Sequence, residues 1–591
     1  MSPPSLGAAA PVAERAAALG WLRRLGQYAR SEQLFFVFAI VIGIIAGLAV
    51  VAFRSAIDVL NAELLGSVAT RAPLRSVLAP ALAGLVIAAL VIKLFPGARG
   101  SGVNQTKAAL YIYDGYIALR TVIGKFITAA LAIGSGQSLG PEDPSLQVGA
   151  GLASLLGRRL KLTRARQRLV APLGAAAGLA AAFNAPIAAV LFVIEEVIGR
   201  WSSGVIGAVV LAAVSATVVA RAFFGDHPLF QAPPFELRHV SELGAYAVLG
   251  IAGGFGSLLF VKLVAWMRPR LQAMPRGWHY FQPAIAGLII GVIGIWYPQI
   301  MGAGYGAINQ AMGGSFLWPT LLALSLLKIG ATALSFTSGA PGGMFAPTLF
   351  IGAMMGGAVG GVEHLLLPRL TAPVGVYALV GMGTAFAGIL RAPMTSVFMV
   401  VEVSGSYDIV LPLLISNTLA YVISRRWQPT PIFDLLTQQD GLTLPSMEER
   451  REEQVLHVED AMRPNSGPGG RGIPVVAAER PVREAWMKAQ TAPRNFVLVD
   501  AGHGAWYGVT LDMLAPMVVR AEEERPLRTM LEPDWRLPVL YPDQPLETFL
   551  REAGDEPLLP VIHRAHGVLL GVLTLSDALA SYHRAGAAGE P

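Results

Sequence analysis

Long apolar runs, each closed by a short stretch rich in Gly, Pro or charge, fill the chain up to residue 425. The first is Leu34–Phe53, followed by Val77–Phe95, Thr121–Gly134, Val170–Val197, Val205–Val219 and Ala245–Val264. Pro283–Trp296, Leu317–Leu334, Phe345–Leu367, Val374–Leu390, Met394–Val403 and Ile409–Val422 complete the set. A helix needs about 20 apolar residues to cross a bilayer. Some runs reach that length; others fall short or are interrupted by Gly and Pro. Broken helices survive at membrane depth only inside protein or beside a cavity. The pattern therefore predicts an all-α polytopic membrane region over 33–438 that encloses a pathway, rather than a bundle of simple anchors.

The runs repeat. Ala185–Glu195 (APIAAVLFVIE) matches Ala392–Glu402 (APMTSVFMVVE) at an offset of 207. Pro144–Ala150 (PSLQVGA) matches Pro347–Ala353 (PTLFIGA) at an offset of 203, and Ser135-Gly136 aligns with Ser338-Gly339 at the same offset. Two halves share one plan, as in transporters built from structural repeats. The repeat leaves the relative orientation of the halves open. Glu195 aligns with Glu402, and a shared place in both halves points to packing or capping.

Beyond Arg425 the texture changes. A polar linker is expected over 439–456, then short β-rich runs alternating with short helical ones. VEDAMRP (458–464) opens one unit, with a helix in PVREAWMKAQ, a strand in FVLVD and a strand-to-helix turn in WYGVTLDML. PLRTML, RLPVLYP, PLETFLREA and the segment from EPLLPVIH to ALASY make a second. The tail reads as a tandem α/β repeat, with modules at 457–515 and 516–585 and an end piece at 586–591.

Composition agrees. Charged residues make up 14% of the chain and apolar ones 54%, against about 25% charged in soluble proteins. Residues 441–591 hold 15 Lys/Arg against 22 Asp/Glu, leaving 30 bases against 17 acids in the first 440. Basic loops on one membrane face produce such a surplus. Nucleic-acid binding would need the bases clustered in a stripe, and they are scattered. Residues 1–32 lack an uninterrupted signal-peptide core, since Glu14, Arg15, Arg23 and Arg24 break it. They read as a cytoplasmic leader, with Arg23, Arg24 and Arg30 on the positive-inside flank. No cysteine is present, which excludes disulfides and thiolate metal sites. No metal motif, P-loop, dinucleotide fingerprint or Ser/His/Asp arrangement is readable. His503, His563 and His566 read as surface residues, and no enzyme is expected.

Three Gly-rich turns are each expected to lead directly into an apolar helix: GSGVN (100–104), GPEDP (140–144) and GGMFAP (342–347). Glycine lets backbone approach a ligand closely. A helix start offers free N–H groups and partial positive charge, so it attracts anions. Three converging starts hold an anion without the tight grip of a full lysine charge.

These residues resemble a known family. GSG at Gly100–Gly102, SLGPEDP at Ser138–Pro144 and GGMFAP look like the anion-filter signatures of the CLC chloride channels and chloride/proton antiporters. FNAPIAAVLFVIEE (183–196) is similar to the family's inner-gate helix, and TPIFDLL (430–436) to its last anion-ligand segment. The match covers roughly 32–438, and the tail resembles the CBS pair often appended in this family. The resemblance implies inverted halves and a homodimer with one anion pathway per subunit; the lack of a readable targeting peptide makes a bacterial inner membrane, with both termini cytoplasmic, the simple expectation.

It also implies roles. Ser101 matches the hydroxyl donor to the central anion, and Met344 and Phe345 the positions whose amides contact it. Gly100, Gly102, Gly140, Gly343 and Pro347 belong to the filter loops. Glu142 matches the external gate, a carboxylate that competes with chloride for helix starts and leaves when protonated. Glu196 matches the internal proton-transfer glutamate, since intramembrane carboxylates are costly and usually functional. Its presence favours antiport over a passive channel. Departures stand at four positions: Pro141 for the usual Arg, Asp143 for Gly, Asn104 for Pro, and Phe433 for the ligand Tyr. The first two alter charge near the outer mouth. Loss of the Tyr hydroxyl removes a hydrogen bond worth roughly 1.5–3 kcal/mol to a charged group. A weaker central site and looser proton coupling are expected.

In the tail, GVLTLSD (571–577) resembles the CBS turn in which Thr574 and Asp577 meet phosphate and ribose of an adenine nucleotide, a regulator rather than a cofactor. GVTLD (508–512), with Thr510, is its counterpart in the first module, its Asp one residue early. Three functions remain in play. They are chloride/proton antiport, a passive gated chloride channel, and a nucleotide-sensing membrane protein with vestigial transport. A cation transporter is weaker, since it would line its path with more carboxylates.

Overall fold

The computed structural model describes residues 32–66, 72–199, 203–231, 242–368, 371–442, 444, 456–465, 472–492, 495–502, 504–554 and 556–588. Residues 1–31, most of the expected linker, His503 and the last three residues lie outside them. The chain forms two compact units, 1–440 and 441–591.

The described residues of the first unit form helices joined by turns. Its first half runs α1 (Glu32–Leu65), α2 (Pro73–Lys93), α3 (Gly102–Tyr111), α4 (Leu119–Gly134), α5 (Glu142–Arg159), α6 (Arg164–Phe183), α7 (Pro186–Phe192) and α8 (Ser203–Phe224). The second repeats it as α9 (Glu242–Gln272), α10 (Gln282–Trp296), α11 (Tyr305–Met312), α12 (Trp318–Thr337), α13 (Phe345–Leu366), α14 (Val374–Leu390), α15 (Pro393–Ser404) and α16 (Val410–Trp427), followed by α17 (Ile432–Gln439). Each helix of the first half thus has its counterpart eight helices later.

Local chemistry sets the breaks. The expected run 170–197 is two helices, because Asn184 adopts the left-handed conformation at φ 58° and Pro186 opens α7. Arg391 repeats this at φ 62° before Pro393 opens α15. A left-handed residue ends a helix, and proline is tolerated in the first turn. The periodicity did not show α3 and α5, and neither is apolar: Asn104, Thr106, Lys107, Glu142, Asp143 and Gln147 are buried in protein, not lipid. Of the three Gly-rich turns, only the third leads into an apolar helix. Packing between α5 and α6 is close enough that a Cβ on Gly149 would meet the Gly174 carbonyl oxygen at 2.2 Å, and Gly352 meets Gly381 in the same way between α13 and α14.

Among the described residues, six helices are long and apolar enough to cross a membrane. Their outward faces expose large apolar side chains such as Leu82 on α2, Val218 on α8 and Phe255 on α9. Together these features make the chain an integral membrane protein.

The C-terminal unit holds α18 (Val458–Ala461), β1 (Arg463–Pro464), β2 (Val475–Ala477), α19 (Val482–Thr491), β3 (Phe496–Asp500), β4 (Trp506–Thr510) and α20 (Leu511–Val519). Then come α21 (Leu546–Glu552), β5 (Leu559–Ile562), β6 (Leu569–Leu573) and α22 (Leu575–Ala588). Two three-stranded sheets result, ordered β2-β3-β4 and β1-β6-β5. β1 therefore joins the sheet of the second module, and Val458 sits in that module's core. Leu527 sits in the core of the first. The two cores do not follow the division at residue 515, because the chain crosses between them. PLRTML forms only a 3-10 turn at Leu527–Thr529, and RLPVLYP contributes no sheet strand.

Candidate functional site

The three Gly-rich turns do open helices, at Gly102, Glu142 and Phe345. The second and third turns meet directly. Gly140 and Gly343 each donate an N–H to the other's carbonyl, both at 2.8 Å. They stand at equivalent places in the two halves, so the pair marks a local two-fold exchange of α5 and α13.

Glu142 is fully buried. Tyr305, at the start of α11, donates its hydroxyl to Oε1, and the Ala346 amide in the first turn of α13 donates to Oε2 at 3.4 Å. A carboxylate therefore sits on a helix start of the opposite half. The side chain folds back so closely that a Cβ on Gly140 would lie 2.4 Å from Oε2. Met344 and Phe345 occupy the cap and first turn of α13, where amides have no intrahelical acceptor. Pro347 follows in the same turn.

Asp143 does not lie at an outer mouth. It is 2% exposed and turned onto α3. Oδ1 accepts from the Ser101 hydroxyl at 2.9 Å and the Val103 amide at 3.1 Å; Oδ2 accepts from the Gly102 amide at 2.8 Å. Lys125 lies 3.9 Å from Oδ2 and donates to the carbonyls of Gly100 (2.6 Å) and Ala98 (3.3 Å).

Phe433, in the first turn of α17, is buried with its ring 6.2 Å from Phe345 and 6.3 Å from Phe192, centroid to centroid. The Asn104 amide donates to its carbonyl at 2.9 Å, tying the first motif to the last. Glu196 is fully buried in a π-helical extension of α7, Val193–Ile198. It pairs with Lys107 of α3, which also reaches Asp434 at 3.2 Å and lies 5.8 Å from the Phe433 ring centroid. The two carboxylates expected to gate and to carry protons are thus joined by one buried chain of contacts, from Tyr305 and Glu142 through Ala346, Phe345 and Phe433 to Lys107 and Glu196.

Sequence reasoning missed Tyr305, Lys107, Lys125, Lys328 and Arg54. Two signals were present. GAGYG (302–306) lies 202 residues after GSGVN, which places Tyr305 in the first turn of the matching short helix. Lys328 lies 203 residues after Lys125 and does the same work, donating to Gly302 (2.7 Å) and Ile300 (2.9 Å). Arg54 lines a cleft of about 440 Å³ with Asp58, Asn61, Pro141, Gln299 and Tyr305. It adds a cation to the cleft that Pro141 also lines, where the second motif lacks its usual Arg.

In the C-terminal unit, Thr510 and Thr574 each stand where a strand passes into a helix. Thr574 donates its hydroxyl to Asp577 at 2.7 Å, and Arg463 also pairs with Asp577. Asp577 of the expected nucleotide turn is thereby held within the protein.

A helical repeat wrapped around buried helix starts, two carboxylates and a shared aromatic cluster defines an anion-pathway membrane protein. The voltage-gated chloride channel family model matches residues 83–425, and the chain belongs to that family. It is 33% identical over 430 residues to the H(+)/Cl(-) exchange transporter ClcA of Salmonella arizonae, covering 70% of this chain and 90% of that protein. A slow cyanobacterial Cl-/H+ antiporter of known structure superposes with a TM-score of 0.64 at 27% identity, covering 69% of this chain and 97% of that one. A eukaryotic CLC transporter matches in fold with a TM-score of 0.62 at 21% identity and covers 92% of this chain and 97% of that one. Coverage of that extent reaches into the C-terminal unit.

Proposed function

We propose that this protein exchanges chloride for protons across the membrane, with Glu142 as the gate and Glu196 as the internal proton carrier. The observation that carries this reading is the seating of the Glu142 carboxylate on the first turn of α13. A carboxylate and chloride are alternative occupants of such a helix start. Protonation removes the carboxylate's charge and its claim on the Ala346 amide, so chloride enters; deprotonation returns it. Met344 and Phe345 supply amides to the anion, and Phe433 bounds the path without adding a donor. The filter glycines Gly100, Gly102, Gly140 and Gly343 let backbone and carboxylate approach. Glu196 carries protons between the path and the opposite face.

Paired chloride and proton flux in liposomes under a chloride gradient tests this. Uphill proton movement in the parent, lost in Glu142→Gln and in Glu196→Gln, is the expected result. Chloride flux without proton movement would sink it in favour of a passive channel. The Lys107–Glu196 pair favours that second reading, because Lys107 already occupies the carboxylate that a carried proton must reach. No flux of either ion would leave vestigial transport with a sensor role.

The C-terminal unit reads as a CBS pair that binds an adenine nucleotide at Thr510, Thr574 and Asp577 as a regulator. A homodimer is the expected assembly. An inner-membrane location with both termini cytoplasmic completes the reading.

A further inference from the structure

Chloride/proton exchange as proposed needs one gating carboxylate, yet the structure seats two, on consecutive residues. Glu142 takes donors from the second half, Tyr305 and Ala346. Asp143 takes donors from the first, the Ser101 hydroxyl and the Gly102 and Val103 amides, with Lys125 3.9 Å away. These are the charge-assisted contacts that an anion at the start of α3 would need.

The Ser101 hydroxyl can serve only one acceptor at a time, because it carries one proton. That proton is directed to Asp143 Oδ1 at 2.9 Å, while the Ser101 oxygen accepts from Val103 at 3.2 Å. Ser101 cannot donate to chloride while this bond stands. Both carboxylate oxygens of Asp143 are engaged, and Asp143 and Lys125 are both buried.

Resting on the exchange reading, we propose that Asp143 is a tethered competitor of chloride, occupying the Ser101 end of the pathway and setting its anion affinity. Chloride gains the Ser101 hydroxyl only when Asp143 releases it. An aspartate that merely capped α3 would make the opposite prediction for anion binding. Its removal would loosen the helix start and weaken chloride, whereas removal of a competitor strengthens it.

The test is chloride titration by calorimetry on the purified full chain in a gluconate buffer. The parent is compared with Asp143→Asn, Asp143→Gly, Ser101→Ala and the Asp143→Asn/Ser101→Ala pair. Asp143→Asn keeps the size of the side chain and one oxygen acceptor, and size exclusion confirms each variant as monodisperse. At least tenfold tighter chloride binding is expected in Asp143→Asn and Asp143→Gly. Ser101→Ala is expected to weaken binding far more in the Asp143→Asn background than in the parent. Unchanged or weaker binding in a monodisperse Asp143→Asn overturns the proposal. So does a Ser101→Ala that strongly weakens chloride binding in the parent, a readout that stands even if both Asp143 variants fail to fold. Proton flux separates the two readings. Tighter chloride without proton coupling leaves Asp143 a competitor and removes the exchanger; unchanged chloride with intact coupling does the reverse.

Discussion

Glu195 and Glu402 cap each other's helices. Glu195, just past α7, accepts from the Thr395 amide at 3.1 Å and its hydroxyl at 2.8 Å, at the start of α15. Glu402, in α15, accepts from the Ile187 and Ala188 amides at 3.0 and 2.7 Å, at the start of α7. The alignment of these two glutamates in the repeat therefore reflects a reciprocal clasp, in which negative charge meets the positive end of each helix.

Breaking either clasp should destabilise the protein without abolishing its fold. Hydrogen bonds to a charged group contribute about 1.5–3 kcal/mol. Glu402→Ala is expected to lose that order of stability and Glu195→Ala a similar amount, read as lowered melting temperatures in detergent.

Lys107 and Glu196 should be strongly coupled. Removing one partner of a buried pair costs about 3–5 kcal/mol, because the other charge is left uncompensated, whereas replacing both can be nearly neutral. Lys107→Met should therefore unfold at markedly lower temperature than Lys107→Met/Glu196→Gln. A double variant no more stable than Lys107→Met would mean that Asp434, not Glu196, is the partner that matters.

Tyr305→Phe removes the hydroxyl that holds Glu142 Oε1. With a charged hydrogen bond of at least about 1.5 kcal/mol lost, chloride should displace the carboxylate on the order of ten times more readily. Chloride flux at symmetric pH should rise; an unchanged rate would show that the Ala346 amide alone sets the gate.

Phe433→Tyr restores the missing donor of the family pattern. Chloride should bind more tightly, by up to the roughly 1.5–3 kcal/mol of a charged hydrogen bond. Calorimetry that finds no gain would place the new hydroxyl away from the anion, within the aromatic cluster of Phe192 and Phe345.

Lys125→Met and Lys328→Met should behave alike. Each lysine is fully buried and donates to two carbonyls of the turn that enters a short helix. Each loss leaves buried acceptors unsatisfied at about 1–3 kcal/mol apiece. Lowered melting temperatures are expected in both, and a lysine whose loss is silent would not be structural.

The helix-start motifs were legible because Gly-rich turns and buried acids are local signals. The spans with lipid on one side were legible because their outward faces are apolar. Helices α3 and α5 were legible only through their glycine-rich starts and not through apolar periodicity, because protein surrounds them, so their sequences carry polar residues that lipid would reject. The destination of Asp143 was unreadable for a different reason. Its charge was visible, but whether it faced an outer mouth or Ser101 depends on the approach of α3 to α5, which no local pattern encodes. Tyr305 and the two buried lysines were readable in principle, through the 202- and 203-residue offsets, had the repeat been followed beyond its most similar segments. Lys107 offered no such cue, since a lone lysine in a polar helix looks like a solvated one.

The paired bonds between Gly140 and Gly343 also bear on how transport must move. Rocking one half against the other would have to part those two turns at the centre and open both glutamate clasps at the periphery. The halves are riveted where a rocking exchanger would need a hinge. Side chains that swing within a fixed frame are then the expected means of passage, and a cross-link added between the two turns should leave turnover standing.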